Sequence, residues 1–177
     1  MSKVKVATTW LDGCSGCHMS FLDMDERLVE LADRIDVVFG PLVDLKELPE
    51  KIDIAIVEGA VSTNDDLEKI LTLRERSQTL ISLGDCAVTA NVPSMRNPFK
   101  VADVLDRAYM ENTTTQWQIP KEIIPHMLKR ARPVREIVPV DIFVPGCPPS
   151  ADTIYYCLKE LLDGRQPKIT EMTRFGA

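Results

Sequence analysis

Cys14 and Cys17 stand three positions apart in WLDGCSGCHMSFLD, residues 10–23, and the other three of the chain's five cysteines are Cys86, Cys147 and Cys157. A lone C-x-x-C supports several chemistries: a disulfide, half of a structural zinc site, a redox dithiol or part of an iron-sulfur site. The remaining cysteines weigh among them. Structural zinc usually takes two closely spaced pairs, whereas here one pair is joined by two single cysteines far along the chain. Thioredoxin-like exchange would leave Cys86 and Cys147 without a role. Four thiolates from three separate loops fit iron-sulfur ligation best, with zinc and dithiol chemistry as the alternatives. Cys157 recurs with Ile154, Leu158 and Leu161 at helical spacing, so a small core residue is expected there.

Each of the three loops has the composition for close approach to a bulky anionic group. Gly13 and Gly16 flank the first cysteines, Gly84 precedes Cys86 by two, and Gly146 abuts Cys147. Glycine lets backbone amides come near a ligand that a Cβ would push away. Pro148 and Pro149 stiffen the chain after Cys147, and Ser150 is placed to cap a helix. Helix N-termini expected at 18 and 151 would turn their positive ends toward the same group.

These loops need a scaffold that brings them together. VKVATT (4–9), IDVVF (35–39), DIAIVEG (53–59), TLISLGD (79–85) and IVPVDIFVP (137–145) read as short, buried parallel strands. Helical patterns lie between them. Met24, Leu28, Leu31, Ala32 and Ile35 recur at spacings of three and four; Asn64 to Arg76 forms a second helix, and Ser150 to Leu162 a third that stops at Asp163-Gly164. Strand-helix alternation predicts an α/β fold with a parallel sheet covered by helices on both faces. Cys14, Cys17, Cys86 and Cys147 all follow strands, so they would converge on the carboxyl edge of the sheet, where open α/β sheets bind ligands.

One domain is expected over 1–177, interrupted by a long excursion at about 91–136 that contains several prolines, the polar run ENTTTQWQ, a helix at 99–110 and the cluster Lys129, Arg130, Arg132, Arg135. Excursions of that length in compact domains are often functional. The basic cluster reads as a solvated face or a docking patch for an acidic partner.

Composition narrows the function. The 177 residues are 45% apolar and 27% charged, an ordinary globular balance, and the formal charge of −6 argues against a general nucleic-acid binder. No run approaches the roughly 18 apolar residues of a membrane helix. The start, MSKVKVATTW, enters a strand-like run with no export signal ahead of it, so a cytoplasmic protein is expected, and a reducing compartment favours metal or redox chemistry over structural disulfides. His18 and His126 are the sole histidines, and no Ser-His-Asp set, paired-carboxylate site or metal-activated water motif can be assembled; no catalytic residue is assigned to this chain. Neither G-x-G-x-x-G nor a phosphate-loop lysine motif is present. His18 beside Cys17 could bond a sulfur or touch a partner, or be a partly exposed helix residue. Glu58, ending the third strand, points toward the same edge and is either an amide-satisfied carboxylate or part of an interface or proton route. His126 belongs to surface or interface packing.

Taken together, GCSGCHMSFLD (13–23), VEGAV (57–61), LGDCA (83–87) and PGCPPS (145–150) resemble the small subunits of nickel-iron hydrogenases of the cytoplasmic, NAD-reducing type. The likeness covers essentially the whole chain. It implies a flavodoxin-like domain in which Cys14, Cys17, Cys86 and Cys147 bind one proximal 4Fe-4S cluster, next to a nickel-iron centre held by a separate large subunit. It further implies an electron relay to diaphorase subunits that carry flavin and NAD. Respiratory members of the family add a C-terminal extension with two more clusters; with 30 residues after Cys147 (177 − 147) and no cysteine beyond Cys157, one cluster is expected here. The related complex I subunit is expected to have adjacent cysteines at the first motif, and C-x-x-C departs from that. The competing readings are the one-cluster subunit of another cytoplasmic hydrogenase or complex I-like oxidoreductase, and, from a different class, a zinc-stabilised adaptor.

Overall fold

The computed structural model describes residues 3–173; positions 1–2 and 174–177 of the expected domain lie outside the described residues. β-Branched runs build its frame. Its strands are β1 (Val4–Trp10), β2 (Ile35–Phe39), β3 (Ile52–Glu58), β4 (Val61–Thr63), β5 (Ser77–Leu83), β6 (Met127–Arg132) and β7 (Ile142–Val144). Five of them form one parallel sheet in the order β2-β1-β3-β5-β7. Numbered within the sheet, that is 2-1-3-4-5, the flavodoxin-like order, and the direction of winding reverses between β1 and β3.

The strands face two cores, as their two-residue side-chain period requires. Val6, Ile54, Ile56 and Ile81 enter one core, with Phe21, Leu31, Ile154 and Leu158 from the helices above. Ala7, Ala55, Val57 and Leu80 enter the other, against Ile70, Leu73, Val134 and Val138. The helices are α1 (Gly16–Leu22), α2 (Glu26–Ala32), α3 (Asn64–Arg76), α4 (Gly84–Thr89), α5 (Val101–Asp106), α6 (Ala151–Leu162) and α7 (Ile169–Met172). Helix α3 starts on a capping box: Thr63 Oγ1 accepts from the Asp66 N–H at 3.1 Å, and Asp66 Oδ2 accepts from the Thr63 N–H at 2.9 Å. Helix α6 is capped by Ser150, whose Oγ accepts from the Thr153 N–H at 3.2 Å.

Three expectations are corrected. The helical pattern after β1 is two helices, because the chain tightens at Asp23–Asp25 through i−3 bonds such as Asp25 N–H to Leu22 O at 3.0 Å. Asp25 takes a φ of 51° there, α1 begins at Gly16 rather than 18, and Ile35 opens β2. The run 137–145 contributes only Ile142–Val144 to the sheet; Pro139 has no N–H for a ladder, and Val138 instead caps the second core. The excursion holds an antiparallel strand that periodicity did not reveal, since β6 pairs with the distant β4, Val61 opposite Arg132 and Thr63 opposite Met127. Asn97 extends that pairing: its side-chain amide donates to Ala131 O and accepts from Ala131 N–H, both at 2.8 Å. Lys129, Arg130 and Arg132 therefore lie on a strand, and α5 fills part of the helix expected at 99–110, followed by a wider π turn over Arg107–Glu111.

Candidate metal centre

All three cysteine loops leave carboxyl ends of strands of the one parallel sheet: Cys14 and Cys17 after β1, Cys86 after β5 and Cys147 after β7, with β3 between β1 and β5. Cys14 and Cys147 are exposed, Cys17 and Cys86 partly buried, and Cys157 is buried in the α6 core, 2% exposed. Gly84, at φ 80°, passes directly beneath Cys17; a Cβ there would overlap the Cys17 sulfur. A Cβ on Gly16 would lie 3.2 Å from Cys14 Sγ, and one on Gly13 would touch Cys86 Cβ at 4.0 Å. Glycine at these points lets the loops close on one another.

The loops are tied together by bonds that leave the thiols free. Asp12 and Ala60 exchange backbone bonds, 3.0 Å and 2.8 Å, holding the first cysteine loop to the end of β3. The His18 N–H donates to Glu58 Oε2 at 2.8 Å. Ser20 Oγ donates to Pro149 O at 2.6 Å, joining α1 to the Cys147 loop. Asp85 and Gly146 exchange two bonds: Asp85 N–H to Gly146 O at 2.9 Å and Gly146 N–H to Asp85 Oδ1 at 2.8 Å.

Electrostatics mark the thiols as one group. Burial, then the Glu58 carboxylate, then the Cys86 and Cys14 thiols push the Cys17 thiol far above its ordinary range. Cys86 is raised by burial first and next by Cys147, with the Val92 backbone amide acting in the opposite direction. Cys157 is pushed up to about 12 by burial alone, with no contribution from the other four.

His18 is 5% exposed and Glu58 3%, so His18 is buried rather than partly exposed. Nδ1 of His18 lies 3.2 Å from Glu58 Oε2 without the alignment of a hydrogen bond, and its ring meets Trp10 edge-on with centroids 5.6 Å apart. Both ring nitrogens and Glu58 Oε1 have no partner. Such unpartnered buried groups mark places built for something besides stability. Glu58 is half amide-satisfied and half free. His126 is exposed and exchanges bonds with Asn64, 2.6 Å and 3.0 Å.

The donor set fits an iron-sulfur cluster. It offers four soft thiols and a glycine-lined approach. Among the described residues, no group of three or more His, Cys, Asp or Glu is arranged to hold a metal ion. Sequence reasoning missed Ser20 and Asp85, whose partners lie 129 and 61 residues away.

A family profile described as NADH ubiquinone oxidoreductase, 20 kDa subunit, matches residues 14–161. The chain belongs to this family. Within it, the chain is 42% identical over 168 residues to the delta subunit of the NAD-reducing hydrogenase HoxS of Cupriavidus necator, spanning 92% of this chain and 80% of that one. It is 31% identical to the delta subunit of sulfhydrogenase 2 of Pyrococcus furiosus, over 93% of this chain and 64% of that protein. Two hydrogenase G subunits from Methanothermobacter species are longer, and the chain spans 56% and 55% of them. A crystal structure of an NAD-reducing NiFe-hydrogenase in the H2-reduced state superposes with a TM-score of 0.94 at 35% identity, covering 98% of this chain and 99% of that one. The flavodoxin-like α/β fold and kinship with hydrogenase small subunits follow. Among the described residues, no helix is long and apolar enough to cross a membrane.

Proposed function

We propose that this chain is the electron-transfer small subunit of a cytoplasmic NAD-reducing nickel-iron hydrogenase, working as one domain that holds a single 4Fe-4S cluster on Cys14, Cys17, Cys86 and Cys147. The convergence of four thiols from three loops on one sheet edge carries the reading. The likeness to the Cupriavidus subunit and to the NAD-reducing structure supports the class of partner. When bound, the cluster passes single electrons between a nickel-iron site in a large subunit and a diaphorase carrying flavin and NAD. This chain's residues hold and shield it. The thiolates supply the ligands, the Val92 amide stabilises charge on the Cys86 sulfur, and the glycines bring backbone within contact. His18 and Glu58 lie behind Cys17, at the edge that the large subunit would cover.

A second reading keeps the cluster and changes the acceptor, because the relatives include a sulfhydrogenase as well as an NAD-reducing enzyme. A zinc-stabilised adaptor is disfavoured by the spacing, in which one close cysteine pair is joined by two single cysteines far along the chain. Anaerobic purification with co-expressed partners separates the three. The proposal expects at least four irons and four sulfides per copy of this chain, beyond the iron of the nickel-iron centre, and hydrogen-driven NAD reduction. Hydrogen-driven reduction of ferredoxin but not NAD favours the second reading, and stoichiometric zinc without sulfide overturns both.

A further inference from the structure

The four cysteines are held in place by residues that are not themselves ligands, and one of these has an unusual position. Asp85 is covalently next to Cys86, and its carboxylate accepts from the amide of Gly146, covalently next to Cys147. Its own N–H returns a bond to Gly146 O. One side chain therefore closes a two-bond ring between the last two cysteine loops. On the far side, the Cys147 loop is held by Ser20 Oγ on Pro149 O.

The loop needs this help. Gly146 sits at φ 141°, where a Cβ would come 2.5 Å from Pro149 Cα, so its path is one that few residues adopt. Strand β7 before it is three residues long, and Cys147 itself is exposed. Little apolar packing fixes the thiol, and directional bonds must do so instead.

We propose that Asp85 is a positioning residue with two separable actions on the cluster of the proposed function, on which this inference rests. As an acceptor, it fixes the Gly146 amide and thereby presents Cys147 to the cluster. As a carboxylate one residue from Cys86 and bonded to the amide that precedes Cys147, it places a negative charge near a centre that gains negative charge on reduction, and so lowers its potential. An amide in its place keeps the first action and removes the second. A methyl group removes both.

The test compares Asp85→Asn and Asp85→Ala in the anaerobically purified complex. Iron and sulfide content under a mild chelator, the electron paramagnetic resonance signature, the midpoint potential and far-ultraviolet circular dichroism are read together. Asp85→Ala should lose iron about tenfold faster than wild type with its circular dichroism unchanged. Asp85→Asn should keep wild-type iron and signature, with a potential shifted upward. Asp85→Ala retaining iron as wild type does overturns the positioning role, as does iron loss in Asp85→Asn equal to that in Asp85→Ala. An unshifted potential in a cluster-loaded Asp85→Asn overturns the charge role, and that variant decides alone if Asp85→Ala does not fold. Absence of iron and sulfide from the wild-type complex would instead sink the cluster reading itself.

Discussion

The edge that carries the cysteines and the excursion at 91–136 solve opposite problems. At the edge, loops from β1, β3, β5 and β7 are laced by hydrogen bonds, glycines bring backbone against sulfur, and His18 and Glu58 keep buried polar atoms without partners. In the excursion, Met95, Phe99, Trp117 and Ile123 stand 62–104% exposed, and many polar bonds stay within a few residues, as in Trp117 Nε1 to Thr113 O at 2.9 Å and the Arg107–Glu111 pair. The first region is held by directional bonds between its loops. The second spends apolar surface on water, which a monomer rarely does over a wide patch, and is consistent with a face covered by a partner. The proposed function would need both: fixed ligands for a redox group, and adaptable cover for neighbouring subunits.

The largest effect expected is at the edge. Cys14→Ser, Cys17→Ser, Cys86→Ser and Cys147→Ser should each abolish or convert the cluster, because a hard hydroxyl replaces a soft thiolate, while Cys157→Ser keeps it; iron, sulfide and magnetic resonance read the outcome. Retention in Cys86→Ser together with loss in Cys157→Ser would reverse the assignment.

Next in size is a comparison of two glycines. Gly84→Ala and Gly164→Ala share a positive φ, 80° and 72°, and so share a backbone penalty of about 1–2 kcal/mol. Gly164 faces open space, but a Cβ at Gly84 overlaps the Cys17 sulfur. Urea unfolding should rank Gly84→Ala as the costlier, and only that variant should lose iron. Equal behaviour of the pair would show that the contact beneath Cys17 is slack.

Effects in the excursion should separate binding from stability. Phe99→Ser with Trp117→Ser removes two exposed side chains, so unfolding should move by no more than about 0.5 kcal/mol per site. Association with the partner subunits should weaken by about tenfold or more if these residues anchor an interface. Unchanged complex recovery across a dilution series would place the covered face elsewhere.

The smallest effect lies far from both regions. Asp141 accepts from the Leu80 N–H at 2.7 Å and from Arg74 at 2.6 Å. Burial opposes its ionisation, but the Leu80 amide and then Arg74 outweigh it and hold the carboxyl below its ordinary 3.8. A depressed folded value gives stability that is present above pH 4 and lost as pH falls through that value. Urea midpoints should therefore drop below pH 4, and Asp141→Asn should flatten that drop by less than about 1 kcal/mol, because the side chain is 46% exposed. A wild-type slope in Asp141→Asn would assign the acid sensitivity to other carboxylates.

Much of this protein was legible in its residues. Four of the five sheet strands, α3, α6 and the core place of Cys157 follow from β-branched runs and helical spacing, which are local properties of the chain. The three glycine-flanked cysteine loops are local as well, and parallel topology alone sends them to one edge. Other features depend on contacts between distant residues and left no periodic trace. Strand β6 is rich in Lys and Arg and pairs with the three-residue β4 across more than sixty positions, so neither partner looks like a strand by itself. The break between α1 and α2 satisfies Phe21 and Met24 in a core that exists only once the sheet has formed. His18 is polar and sits beside an exposed-looking loop, yet it is buried because Trp10 and Glu58 close over it. Composition and spacing determined which atoms could do chemistry and roughly where the chain would turn. The tertiary structure alone decided which carboxylates and hydroxyls hold those atoms in place, because a bond between Asp85 and Gly146, or between Ser20 and Pro149, is made only after the intervening chain has folded.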